Sequence, residues 1–380
     1  PRMANMFLHG VPICVNLPTT LFLLLPVAML PWGPAHLLWL TLTAIGLILA
    51  AYLSWSLAER YSSGASLFLI CFLLANCEGI FLEGDAAGLV VSLCAIAVWC
   101  FLEERFVVAG VLCLAISLAI KPHDAGLVWL YFLLAGGIYR KRALQTLAIT
   151  VVLGLAATLW ISRSAPNWIP EIRANLAATS SHGDIRDPGP DSITSHTAAA
   201  VIDLQGVLSN FRDDPHFYNP VSYLICGPLL LLWTIRTVRS PSSPTAALVA
   251  LAAVVPLSML FTYHRPHDAK LLLLTVPVCM MLWMQGGRTG RLALVFTSAA
   301  ILFTADIPLA ILQIIAAHFH VVAVGLLGKT MTVALARPAA LILLAMSIFY
   351  LWVYVRRTPG EITAAFSGSS DAIPIAPRAT

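Results

Sequence analysis

Long apolar runs that leave no room for charge constrain this chain more than any other feature. They recur near residues 12–31, 35–58, 65–82, 86–102, 106–120, 125–139, 143–162, 220–236, 245–262, 270–285, 291–316 and 332–355. A run of roughly 20 apolar residues matches the hydrocarbon thickness of a bilayer when helical. In hydrocarbon every backbone N–H and C=O must be satisfied internally, which leaves the helix as the spanning element. Charged residues make up 11% of the chain and mean hydropathy is +0.87, whereas a soluble domain carries about 25% charged residues. The expected fold is therefore all-α, a polytopic transmembrane helical bundle of about eleven or twelve membrane segments. All eight cysteines fall in apolar segments without a CxxC pair. They read as small buried hydrophobes, and support neither a disulfide framework nor a zinc site.

Charge placement orients the bundle. Short basic connections belong on the cytoplasmic side, and five qualify: Glu103-Glu104-Arg105, Arg140-Lys141-Arg142, 236–239, 288–291 and Arg356-Arg357. Pairs of crossings separate them, so all five fall on one side. The connections 82–87, 121–125, 163–219, 263–270 and 317–331 then fall opposite. Residues 1–357 are expected to form one membrane domain, 163–219 its long extracytoplasmic loop, and 358–380 a disordered cytoplasmic tail. The loop is acidic and turn-rich around HGDIRDPGPDS, with short amphipathic helices expected at IPEIRANLAATS and AAAVIDLQGVLSNF. Segment 12–31 carries Pro12, Pro18 and Pro26, which favours a broken or re-entrant element. The chain opens PRMANMFLHG, with neither a leading methionine nor a charged-then-apolar leader, so upstream sequence is expected.

Polar residues concentrate at three extracytoplasmic places. YHRPHDAK gathers Tyr263, His264, Arg265, His267, Asp268 and Lys270 between apolar runs. Interfacial helix ends carry polar caps, but ionisable groups at membrane depth are costly and mark function. IKPHDAG repeats the word PHDA with Lys121, His123 and Asp124. Asp124 and Asp268 read equally as helix N-caps or as chemistry, while a lone Lys121 after LCLAISLAI invites an anionic partner. LEGDAAG supplies Glu83 and Asp85, each a base if it faces a cavity and a cap if it does not. The string His264, His267, Asp268 is a weak metal pattern, because its proline breaks any regular helix face. Asp306, before Pro308, marks a kink or lines a cavity.

Cations and carboxylates outside a hydrophobic bundle suit an amphipathic substrate such as a polyprenyl-phosphate sugar. Its transfer to a hydroxyl needs a carboxylate base and electrostatic stabilisation of the leaving phosphate. Nucleic acid is not an expected partner. A multi-pass transporter or lipid flippase is the alternative, expected to show internal repeats and mid-membrane charges. Four stretches in order, LPTTLFLLLPVAMLPWGPAHLLWL, LEGDAAGLVVSLCAIAV, VVAGVLCLAISLAIKPHDAGLVWL and FTYHRPHDAKLLLLTVP, resemble glycosyltransferase family 87, the bacterial polyprenyl-phosphate-mannose-dependent transferases of the GT-C class. The resemblance implies an inverting mannosyltransferase of the bacterial plasma membrane, acting on the extracytoplasmic side upon a lipid or glycan acceptor, with no cofactor or metal. It implies catalytic roles for Asp85, His264 and Asp268. Lys121, His264, Arg265 and Lys270 would bind the donor phosphate, with Glu83, His123, Asp124, Tyr263 and His267 also in the cleft. Asp85 stands where the family usually has glutamine. The family's base, an aspartate of the first outside loop, is expected upstream of residue 1.

Overall fold

The computed structural model describes residues 16–193, 201–318 and 325–356, and the described residues form helices with no strand. The expected cytoplasmic tail and the start of the second loop helix lie outside them. At the centre, the helix Pro244–Ser258 is buried from Ala246 onward. The 3-10 segment Asp268–Thr275 is buried throughout, and so is the helix Val276–Gln285 as far as Leu282. Elements apolar on every side belong in such a core. Trp32–Leu74, Ala87–Leu102 and Pro338–Arg356 pack around it. Gly137–Ser164 and Pro215–Arg239 lie outermost and expose Val152, Leu155, Leu224 and Leu231. A water-soluble protein would not tolerate bands of this kind; lipid covers them without penalty.

Five described helices are long and apolar enough to cross a membrane, or six if Gly287–Phe303 and the bent helix after it count as one. Ala87–Leu102, Val107–Ile120 and Pro244–Ser258 are shorter apolar helices. Several expected segments are built differently from a single helix. The expected segment 35–58 and the start of 65–82 are two arms of Trp32–Leu74, which breaks at Ser62 with extended dihedrals, and the rest of 65–82 continues in the short helix Glu78–Glu83. The arms turn back on each other. Trp39 Nε1 donates to the Gly84 carbonyl at 3.1 Å, and Leu47 clusters with Cys77 and Ile80. Both pairings are centred close to Ser62. The segment expected at 270–285 starts as 3-10 turns, and 291–316 bends by 73° between Phe303 and Asp306. The last segment begins afresh at Pro338 after the helix Gly325–Ala336, with Arg337 buried at the junction. Pro18–Ala28 is an 11-residue helix containing Pro26, a short element as its prolines require.

The two ends of the bundle keep distinct company. At one end Arg60 pairs with Glu103 at 2.8 Å, and Arg142 donates to the Phe101 carbonyl at 2.7 Å. Arg140 there reaches the Leu133 carbonyl at 3.1 Å. At the other end the connections 82–87, 121–125 and 263–270 converge, and the long loop docks on them. Ile202 donates its N–H to the His264 carbonyl at 3.0 Å, and Leu204 to that of Leu260 at 2.9 Å. The loop carries the expected helix Trp168–Thr179 and the short helix Leu204–Ser209.

Candidate active site

Both PHDA words start helical elements, and the two meet. Helix Val107–Ile120 stops at Lys121 because Pro122 cannot continue it, and Pro122–Leu134 restarts at once. Lys121 is thereby held at a corner, its ammonium 2.7 Å from Asp268 Oδ1, 3.1 Å from Asp85 Oδ1 and 3.7 Å from Asp124 Oδ2. Burial alone would lower the lysine's pKa, but the Asp268, Asp124 and Asp85 carboxylates together raise it, so it stays charged. Neither PHDA aspartate is a simple N-cap. Asp124 makes no cap hydrogen bond and turns inward, 2% exposed. Asp268 accepts the Arg265 backbone N–H at 2.8 Å, tying the turn to Lys121.

His264 is 1% exposed, with Nδ1 2.9 Å from the Thr262 carbonyl and Nε2 3.2 Å from Asp124 Oδ1. Burial pushes its imidazole pKa down; the Asp124 carboxylate, helped by Asp268 and the Thr262 carbonyl, reverses this and holds it above the ordinary value. Arg265 Nη1 lies 3.1 Å from Glu83 Oε2, and its Nε donates to the Tyr263 hydroxyl. His267 Nε2 stands 3.4 Å from Asp85 Oδ2. Asp85 accepts the Ala87 N–H at 2.7 Å, so it is a cap as well as a partner of Lys121. Burial raises its pKa, but Lys121 and then His267 outweigh burial and bring it below the usual carboxylate value.

Glu83, Asp85 and Lys121 also line a cavity of about 800 Å³. Its other walls come from Leu24, Val27, Trp32 and Trp39 of the first two helices and from Leu30 between them. Charge at one end and apolar walls beside it suit a molecule with an anionic head and a hydrocarbon tail. The short first helix is fixed there by Thr20, whose hydroxyl donates to the Ile120 carbonyl at 3.0 Å.

Of the residues singled out in the sequence, Glu83, Asp85, Lys121, His123, Asp124, Tyr263, His264, Arg265, His267 and Asp268 form one connected cluster. Lys270 points elsewhere. It is 2% exposed and pairs with Asp306 at 3.2 Å, while Asp306 also accepts the Gly79 N–H at 2.7 Å. Sequence reasoning passed over three participants. His36 lines the cavity, Arg186 stacks 4.9 Å over the Tyr263 ring, and Arg337 lies buried against Gly206. An arginine alone in the apolar run ALARPAA was the available signal for the last.

The fold and this cluster define a multi-pass helical membrane protein with a charged site at one end of its bundle. The chain belongs to glycosyltransferase family 87, whose model matches residues 16–262, and it is a glycosyltransferase. The match ends one residue before YHRPHDAK, so that turn joins the site through its contacts with Lys121 and Asp124. No curated protein and no solved structure gives a significant match.

Proposed function

We propose that the protein moves a mannosyl group from a polyprenyl-phosphate donor to a lipid or glycan acceptor, at the extracytoplasmic face of a bacterial plasma membrane. The observation that carries this reading is the gathering of Lys121, His264 and Arg265 into one cluster beside an apolar-walled cavity. The polyprenyl chain would lie along Leu24, Val27 and Leu30, with the phosphate facing Lys121 and Arg265. As the acceptor oxygen attacks the anomeric carbon, the carbon–oxygen bond to phosphate breaks and the electron pair leaves with an already anionic group. That group needs fixed positive charge more than a proton. His264 and Asp268 position the turn that presents Arg265. Once Lys121 moves onto the phosphate, Asp85 is released to take the acceptor's proton, a role it would fill here in place of the upstream aspartate that the resemblance implies.

The test is transfer by the purified full chain from polyprenyl-phosphate-[14C]mannose, followed by mass spectrometry of the product. Lys121→Ala and Arg265→Ala should each lose about 100-fold in turnover, the scale of removing one stabilising donor, while remaining folded. Transfer from a nucleotide sugar alone, or full turnover in both variants, would overturn the reading.

A further inference from the structure

Part of the cluster has charged neighbours but no hydrogen bonds. Asp124 Oδ1 and Oδ2 and His264 Nε2 are buried and make no hydrogen bond. Buried polar atoms are nearly always satisfied, so this group calls for an occupant. The Thr262 carbonyl facing His264 Nδ1 can only accept, which puts the ring proton on Nδ1. Nε2 then turns its lone pair towards a carboxylate oxygen 3.2 Å away. Either a cation between them or a second ring proton makes that contact favourable, and the geometry favours the cation, because the two atoms, though close, are not aligned as a hydrogen bond.

We propose that this cation is a divalent metal ion of the zinc class, held by His123, Asp124 and His264. The three donor atoms lie within 4.8 Å of one another. Zinc binds imidazole nitrogen and carboxylate oxygen at about 2.0–2.2 Å in a tetrahedron, which separates donor atoms by roughly 3.3 Å and the centroids of two bound imidazoles by about 5 Å. Asp124 Oδ1 lies 3.2 Å from His264 Nε2 and 3.6 Å from His123 Nε2, and the two ring centroids are 5.1 Å apart. The His123 side chain is 34% exposed, which leaves the site an entrance. Charge points the same way. Glu83, Asp85, Asp124 and Asp268 face only Lys121 and Arg265 as permanent cations, and a divalent ion balances the excess. Two other groupings fit less well. Glu83 and Asp85 of the set with His267 are held by Arg265 and Lys121 at 3.1 Å each, closer than Lys121 comes to Asp124 at 3.7 Å, and His182, Asp191 and Asp213 are exposed.

Metal binding is measurable without any donor, so its failure is separate from failure of the mannosyl reading. The full chain in detergent, stripped with chelator, is titrated with Zn2+ by calorimetry and with Co2+ by visible absorption. One equivalent should bind in each case, the cobalt form showing the intense bands of a tetrahedral nitrogen–oxygen site. His123→Ala, the variant least able to disturb folding, and Asp124→Asn should each bind at least 10-fold more weakly, while His182→Ala binds as the unaltered chain does. Chelator-stripped melting curves check that the variants are folded. Absence of stoichiometric binding, or equal affinity in His123→Ala and Asp124→Asn, overturns the site and leaves a proton shared between His264 and Asp124. Loss of binding in His182→Ala places the metal in the exposed loop and overturns it equally.

Discussion

Asp85 is held by two partners that work against its use as a base. The Ala87 N–H and the Lys121 ammonium both stabilise its ionised form, and the lysine takes its pKa below the ordinary value. A carboxylate so held accepts a proton poorly until Lys121 moves away. Asp85→Asn keeps the cap acceptor and removes the base, so turnover should fall about 100-fold with KM little changed. Asp85→Gln installs the glutamine that the resemblance implies at this place, and wild-type turnover in that variant would overturn Asp85 as the base. Asp203 makes a separate prediction in the loop. Burial raises its pKa from 3.8 to about 6, against the Gly206 N–H and Arg337. Between those values the unfolded chain releases the proton while the folded chain keeps it, so stability falls as pH rises through the window. Asp203→Asn retains the acceptor for Gly206 and removes the buried charge. Its advantage over the unaltered chain should be small at pH 4 and grow to on the order of 2–3 kcal/mol by pH 7.5. Melting curves in detergent at both pH values measure it; a difference independent of pH would contradict the assignment.

The apolar runs announced the helices, but periodicity carries no information about where a helix bends inside hydrocarbon. Ser62 breaks one helix into a hairpin, and Thr304 turns another by 73° because Asp306 is drawn to the Gly79 N–H and Lys270. Those partners lie far away in sequence, so the bend could not be read locally. Gly290 shows how tightly such elements then pack. A Cβ there would lie 2.4 Å from the Leu282 carbonyl oxygen, where Gly287–Phe303 crosses the preceding helix. Backbone cannot step aside as a side chain can, so Gly290→Ala should lose about 1–3 kcal/mol. Gly154 meets open space on the lipid-facing helix Gly137–Ser164, and Gly154→Ala should be neutral or gain up to about 1 kcal/mol. Equal melting temperatures for the two variants would mean the helices do not pack this closely.

Which motifs share an end of the bundle was legible before their contacts were, because alternating crossings and basic loops decide it without any side-chain geometry. The contacts themselves were not legible. Lys121 and Asp268 are far apart in sequence, and only packing shows that the cation offered to a phosphate is already held by three carboxylates. The architecture therefore makes a demand that neither the charges nor the contacts meet alone: Leu82 and Glu171 must open on one side, Lys141 and Arg288 on the other. All four positions are exposed, and a background with the eight cysteines replaced makes each a clean labelling site. In intact cells a membrane-impermeant maleimide should modify Leu82→Cys and Glu171→Cys directly, and Lys141→Cys and Arg288→Cys only after permeabilisation. Leu82 and Glu171 reacting from opposite sides would break the bundle as described, since loop and cluster could no longer touch. The fully reversed pattern would leave the fold intact but turn the cluster towards the cytoplasm. A nucleotide sugar would then be the donor within reach, and the polyprenyl-phosphate assignment would have to go.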